Sequence, residues 1–181
     1  ATTAIYPLSL HDALPISLIQ ATQPLQKLFL SMEGPIPNSE CKHKYLFTAT
    51  DKFSQYCWGF ALPNRSNDSV IKSLSTIISF SGAPKFIHEN SDSGIINPSV
   101  KDFLKGYGIS TCKINPPIEA IDNSNEHFYG KVWRTIKLFL EDAGKTNKNW
   151  HNYLQRALHV LRTLLCVKIN ETPHSRLFAF D

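Results

Sequence analysis

Residues 82–109, which read GAPKFIHENSDSGIINPSVKDFLKGYGI, determine the fold prediction for this chain. The apolar run KFIH at residues 85–88 follows a Gly-Ala-Pro break, which is typical of a short buried strand. A polar loop comes next, and apolar residues then repeat at helical spacing from about residue 98 to residue 106. A strand, a loop and a helix in this order predict a crossover toward a parallel neighbouring strand.

Working outward from this unit, the periodicity of the apolar residues predicts three strands before it, with one helix between, and one strand and two long helices after it. The predicted order is β-β-β-α-β-α-β-α-α, which favours an α/β fold with a five-stranded mixed sheet flanked by helices. Its three leading strands are expected to be antiparallel, and the later ones parallel. The predicted elements outside the opening unit are strands at 27–33, 45–51, 55–62 and 109–114, a helix at 67–80, and helices whose apolar stripes span 128–140 and 150–165.

Composition restricts the class of protein. A length of 181 residues favours one domain, and 42% hydrophobic content excludes a disordered tail. The net charge of +4 is compatible with a nucleic-acid partner without requiring one. The four cysteines are scattered and predict no zinc site, and no apolar run approaches the ~20 residues of a membrane span. We therefore expect a nuclear or cytoplasmic protein with no membrane partner.

The first 17 residues, ATTAIYPLSLHDALPIS, differ in character from the rest of the chain. They lack the basic start of a signal peptide and resemble the conceptual translation of a sequencing adapter. We therefore expect residues 1–17 to be a non-native or disordered segment that does not pack on the domain formed by residues 18–181.

Five blocks of the sequence, in order, resemble the integrase catalytic core of gypsy-type LTR retrotransposons and retroviruses, which has the ribonuclease H-like fold. The resemblance covers about residues 24–180 and implies DNA integration by phosphodiester transfer. The domains that flank this core in the family are not in the sequence, so we expect a truncated or decaying copy. The blocks are residues 24–37, 44–63, 82–109, 124–140 and 156–178.

The resemblance also locates three positions that carry metal-binding acids in the family. Ser31, three residues before Gly34, stands at the first-strand aspartate, and Asn90 stands at the second aspartate. Glu126, in the block SNEHFYGKVW, keeps the family's glutamate. The 35 residues that separate Asn90 from Glu126 equal the family's usual spacing. Glu126 is thus the one acidic residue of the triad and the one candidate metal ligand among the three positions.

The implied chemistry uses two Mg²⁺ or Mn²⁺ ions, which activate the attacking oxygen and stabilise the leaving oxygen. Hard oxygen ligands hold such ions, and three carboxylates would supply three negative charges. Ser31 and Asn90 are neutral, so this chain supplies only one charge at those positions. We therefore expect weak or absent metal binding, and an inactive or severely impaired enzyme.

A shifted triad of Glu33, Asp92 and Glu126 is an alternative, because each of the first two lies two residues after a lost acid. Such a shift moves the root of a strand side chain by roughly 6–7 Å, which argues against it. Asp51 is instead expected to form a turn at a hairpin, and His88 and His127 to be structural or surface residues.

DNA contacts are expected from Lys131, Arg134 and Lys137, which recur at i, i+3 and i+6 on the helix after Glu126. A solvated helix face is the alternative explanation of this spacing. The preceding loop, residues 115–122, carries two acids that should repel phosphate.

Two further interpretations remain open at this point. The chain could be a domesticated, non-catalytic module that binds nucleic acid or protein through the same fold. Positions 31 and 90 could also carry sequence errors, which resequencing of the locus would reveal. Hydrophobic helix faces are also compatible with a homodimer.

Overall fold

The computed structural model describes residues 21–36, 42–90, 93–114, 124–167 and 169–179, and within them it leaves out the side chains of residues 90, 112–114, 124–128 and 147. Residues 1–17 therefore lie outside the described part of the chain. One five-stranded sheet in the order β3-β2-β1-β4-β5 forms the centre of the fold. The antiparallel pairs are β1–β2 and β2–β3, and the parallel pairs are β1–β4 and β4–β5, which confirms the mixed sheet. The strands are β1 (Lys27–Glu33), β2 (Tyr45–Asp51), β3 (Cys57–Leu62), β4 (Phe86–Asn90) and β5 (Ser110–Ile114).

Two of the helices begin at residues whose side chains accept a hydrogen bond from an otherwise unpaired N–H group of the first turn. The Ser66 side chain accepts from the N–H of Ser69 at 3.3 Å, and the Asn97 side chain accepts from the N–H of Val100 at 3.2 Å. Gly82 ends the first helix at a φ of 90°, a left-handed angle that suits glycine. The helices are α1 (Asn67–Ser81), α2 (Pro98–Gly106), α3 (Ser124–Asp142), α4 (Trp150–Thr163) and α5 (Pro173–Phe178), with a 3₁₀ turn at Asn147–Asn149.

The sheet separates two hydrophobic cores, because successive strand residues point to opposite faces. Leu28 and Leu30 of β1 pack in the core that α1 and α2 cover, and Leu46 of β2 packs in the core that α3 and α4 cover. Gly59 of β3 lies so close to α4 that a Cβ atom there would come within 2.8 Å of Leu158 Cδ1. Ser31, one residue after Leu30, consequently belongs to the α3 and α4 face of the sheet.

Two parts of the sequence-based prediction need correction. The last long helix was expected to carry its apolar stripe to Leu165, but α4 ends at Thr163 and Leu165 is 62% exposed. The helix α5 was not predicted, although Thr172 followed by Pro173 is a helix-start pattern and the Thr172 side chain accepts from the Ser175 N–H at 3.0 Å. Six residues are too short for periodicity to reveal a helix. In the described part of the chain, no helix has the length and hydropathy of a membrane span.

Candidate functional site

The first two family acid positions lie side by side in the sheet. Strands β1 and β4 are parallel, and the last pair of their register joins Leu30 to Glu89. The next step of the same register brings Ser31 opposite Asn90, at the carboxyl ends of the two strands. Neighbouring strands lie about 4.8 Å apart, so the two positions are adjacent on one face. The fold therefore brings together two positions that are far apart in the sequence.

Helix α3 brings the third position to the same place. Tyr129 of α3 has a raised pKa because burial disfavours its phenolate and because the negative charge of Glu33 lies nearby. The first turns of α3 therefore lie beside the end of β1. Glu126 precedes Tyr129 by three residues, in the first turn of the same helix. The ends of β1 and β4 thus lie near the first turns of α3, and the assignment of Ser31, Asn90 and Glu126 as a triad stays a prediction.

Parts of the predicted site lie outside the described structure. The side chains of Asn90 and Glu126 are among them, and so are Asp92 and the loop at residues 115–122. Among the residues that the structure does describe, no three His, Cys, Asp or Glu side chains form a metal-ligand group.

Glu33, which follows Ser31 by two residues and belongs to the alternative triad raised from the sequence, contacts the first family position. The Ser31 hydroxyl donates to Glu33 Oε1 at 3.3 Å, and both side chains are partly buried. The Glu33 side chain therefore reaches back along the strand toward the first acid position. The roots of these two side chains lie roughly 6–7 Å apart on the strand, and the bend of the Glu33 side chain shortens the distance at its carboxylate.

Glu89 anchors the loop that follows β4, a role that the sequence did not reveal. It is completely buried, and Oε2 accepts from the N–H groups of Ile95 at 2.8 Å and Ile96 at 2.9 Å, as well as from the Ser93 hydroxyl. A carboxylate in the middle of a buried strand was the available signal, because such a group needs donors close by. Glu89 faces away from Asn90, since adjacent strand residues point to opposite faces.

His88 lies next to the site and is 2% exposed. Neither ring nitrogen has a hydrogen-bond partner in the described part of the chain. Burial lowers the pKa of His88 to about 4, and the positive charges of Lys27 and Lys52 add to this effect. His88 is therefore neutral at neutral pH, and its burial agrees with the structural role that the sequence indicated.

Asp51 has the turn-forming role that was predicted. Oδ2 accepts from the Ser54 N–H at 2.7 Å and the Ser54 hydroxyl at 2.6 Å, and Oδ1 accepts from the Leu25 N–H at 3.0 Å. Burial raises the pKa of Asp51, and these hydrogen bonds oppose the shift. Its oxygens are thus engaged in holding the hairpin between β2 and β3.

The predicted DNA-contacting residues are all exposed. Lys131, Arg134 and Lys137 lie on the solvent side of α3, opposite the buried Val132 and Ile136. Their exposure agrees both with phosphate contact and with a solvated helix face, so the assignment stays a prediction.

The mixed sheet in this strand order places the ends of β1 and β4 near the start of α3. This arrangement defines the class of protein as a ribonuclease H-like catalytic core. More specifically, the family described as Integrase core domain matches residues 23–116, which is more than half of the chain. The chain belongs to this family, as the resemblance implied.

Relatives of this chain include polyproteins of a retrovirus and a retrotransposon. The Pro-Pol polyprotein of feline foamy virus is 21% identical over 177 residues, which cover 98% of this chain and 15% of the polyprotein. The Transposon Ty1-NL2 Gag-Pol polyprotein of Saccharomyces cerevisiae is 22% identical over 167 residues, which cover 88% of this chain and 10% of the polyprotein. The chain therefore spans less than a sixth of these relatives.

Solved structures share the fold. The HTLV-2 integrase catalytic core domain in complex with magnesium, in a trimeric form, superposes with a TM-score of 0.70 at 17% identity, covering 86% of this chain and 97% of that one. The simian T-cell lymphotropic virus intasome in complex with a PP2A regulatory subunit superposes with a TM-score of 0.73 at 15% identity. The match covers 88% of this chain and 56% of the intasome chain. At these identities the likeness establishes the fold.

Proposed function

We propose that this chain is a degraded integrase core that keeps the DNA-binding fold but has lost effective phosphodiester transfer. The observation that carries this proposal is the register that brings Ser31 beside Asn90, because both positions are neutral where the family has aspartates. The HTLV-2 core structure in complex with magnesium supports divalent-metal use in the family.

The donor set at the three positions does not fit a pair of Mg²⁺ or Mn²⁺ ions. Hydroxyl and amide oxygens coordinate as dipoles, so Glu126 supplies the only charge among Ser31, Asn90 and Glu126. At an effective dielectric of ~20, each lost charge close to an ion removes about 4 kcal/mol of attraction. Each 1.36 kcal/mol in the transition state is a factor of about ten in rate, so the expected loss is several orders of magnitude.

A domesticated, non-catalytic module is the alternative within the same fold. In the described part of the chain, buried hydrophobic residues pack on both faces of the sheet, so the neutral positions 31 and 90 coexist with a packed core. Intact packing is compatible with a retained binding role, and it is equally compatible with recent decay.

DNA binding through α3 is tested by the dependence of affinity on salt. We expect the triple variant to bind a branched DNA with a weaker dependence on salt, so that the slope of log K, the logarithm of the binding constant, against log salt falls by about 2–3. The variant carries Lys131→Gln, Arg134→Gln and Lys137→Gln. The reason is that each phosphate contact contributes about 0.9 to that slope. Fluorescence anisotropy at several salt concentrations measures the slope.

A matched control removes the same charge from the opposite face of the sheet. Lys72, Lys101 and Lys105 are exposed on α1 and α2, and their triple replacement by glutamine should change the slope by less than about 1. Equal losses in the two triple variants would show that α3 has no special part in DNA binding.

We also propose that a second copy of this chain covers a groove beside the edge strand β3. The groove has a volume of about 490 Å³ and is rich in aromatic side chains, with Phe80 83% exposed at its rim. The outer carbonyls of Cys57 and Gly59 already accept from Arg162 at 2.7 Å and Gln155 at 3.0 Å. Because these carbonyls are engaged, we expect the second copy to pack through side chains rather than to add a strand beside β3. The dimeric form of the HTLV-2 integrase core supports self-association.

Sedimentation velocity tests this proposal. Phe80→Lys should shift the chain toward monomer, because it places a charge in an apolar contact. Leu138→Lys, which changes a 59% exposed leucine on α3, should leave the distribution unchanged. A monomeric parent chain at high concentration would contradict the proposal.

A further inference from the structure

A pair of histidines joins the segment before β2 to the start of α4. The rings of His43 and His151 lie 5.1 Å apart between their centroids, with 30° between the ring planes, and both side chains are half-buried. His43 precedes β2 by two residues, and His151 is the second residue of α4. The histidine pair is therefore a contact between two elements that lie far apart in the sequence.

The backbone beside each ring is held in place. Lys44 follows His43 and donates its N–H to the Leu62 carbonyl at 2.9 Å. Trp150 precedes His151, and its side chain is completely buried in the core that α3 and α4 cover. Because both neighbours are fixed, the two rings stay close together and a positive charge on one acts on the other.

The start of α4 disfavours a positive charge. The first turn of this helix contains no acidic residue, and the side chain of Asn149 forms no capping hydrogen bond with it. The N–H groups of a first turn form the positive end of a helix, which repels a cation. Burial, and after it the positive charge of His43, lowers the pKa of His151 below its ordinary value of 6.5.

The other charged groups around the histidine pair give little compensation for an added positive charge. In the described part of the chain, cations outnumber acids on the elements that meet here. The groups are Glu33 of β1, Lys42 and Lys44 before β2, Lys148 of the 3₁₀ turn, Arg156 of α4, and the three predicted DNA-contacting residues with Glu141 and Asp142 on α3.

We propose that His43 and His151 form an acid-sensitive contact, which holds the start of α4 against the segment before β2 and weakens when both rings become positively charged. The lowered pKa of His151 means that the unfolded chain takes up this proton more readily than the folded chain does. The free energy of unfolding therefore decreases as pH falls below 6.5. The contact is independent of the proposed function, because it uses neither the family acid positions nor the groove beside β3.

Titration of the histidine rings by ¹H–¹⁵N NMR measures the coupling of the pair in the full chain. His43→Gln removes the neighbouring charge, and the pKa of His151 should rise by ~0.5, which corresponds to repulsion in water across the observed separation. His159→Gln removes an exposed histidine from the same helix and should leave the pKa of His151 unchanged. If His43→Gln also left it unchanged, the two charges would not be coupled and the proposal would fail.

A double-mutant cycle measures whether the coupling acts on the fold. Urea unfolding of the parent, His43→Gln, His151→Gln and the double variant gives four equilibrium constants for unfolding, from which the coupling factor of the pair follows. Between pH 8 and pH 5 this factor should change by ~3-fold or more, in the direction that destabilises the parent chain. His88 is present in all four chains, so its titration cancels. The same coupling factor at both pH values would contradict the proposal.

Reversing the charge provides an independent variant. His151→Glu places a carboxylate beside His43 and in the first turn of α4, where a negative charge is favourable. This variant should lose less stability than the parent between pH 7 and pH 5, again measured by urea unfolding, and circular dichroism verifies that the fold is retained. A loss equal to that of the parent would show that the charge at position 151 does not control the contact.

Discussion

Replacing Ser31 and Asn90 by aspartate together is expected to give this chain Mn²⁺-dependent phosphodiester transfer at least ~100-fold above the level of the parent chain. The two positions are neighbours in the parallel register of β1 and β4, so the double change restores two adjacent charges at one place. The two new aspartates and Glu126 would then supply three carboxylates, whose charge of −3 offsets most of the +4 of two divalent ions.

A branched DNA that mimics the product of integration would serve as the substrate. The parent and the restored chain would each be measured with and without Glu126→Ala. Activity that appears in the restored chain and disappears with Glu126→Ala would establish that residues 31, 90 and 126 occupy the family's acid positions. Activity in the parent chain would contradict the metal argument, and Glu33 and Asp92 would be the next residues to replace.

Acidification is expected to destabilise the fold through His88. The ordinary histidine pKa of 6.5 falls to about 4 in the folded chain, first through burial and then through Lys27 and Lys52. Between these values the unfolded chain binds a proton that the folded chain does not, so the free energy of unfolding decreases as pH falls from 6.5 to 4. The shift corresponds to about 3 kcal/mol, present above pH 6.5 and lost as pH falls through about 4.

Urea unfolding of the parent and of His88→Leu between pH 7 and pH 4 measures this contribution. The variant should lose less stability on acidification, by about 3 kcal/mol. Asp51 titrates with a raised pKa and opposes the trend, but it is present in both chains and cancels in the difference. His159→Gln changes an exposed histidine, and its free energy of unfolding should depend on pH as that of the parent chain does. If the parent and His88→Leu lost the same stability on acidification, His88 would not titrate in this way.

The candidate site shows what the spacing of residues along the sequence can predict about a site and what it cannot. The spacing from Asn90 to Glu126 predicted that the end of β4 and the start of α3 carry the family positions, because parallel strands and a crossover helix place such residues at one sheet edge, and this assignment stays a prediction. The hydrogen bond from Ser31 to Glu33 could not be predicted, because it depends on the Glu33 side chain bending back toward Ser31, at 3.3 Å. Glu89 was missed because its donors, Ile95 and Ile96, belong to a loop with no periodic pattern.

The amino-acid sequence by itself determined the order of the elements as far as α4, the antiparallel and parallel parts of the sheet, and the loss of charge at positions 31 and 90. These features follow from local periodicity and residue chemistry, which act over a few neighbouring residues. The tertiary structure alone decided that Ser31 lies beside Asn90, that His88 is buried near Lys27, and that the Glu33 carboxylate lies near Tyr129. Such contacts arise from strand register and helix packing, because the free energy of burial depends on which distant residues meet.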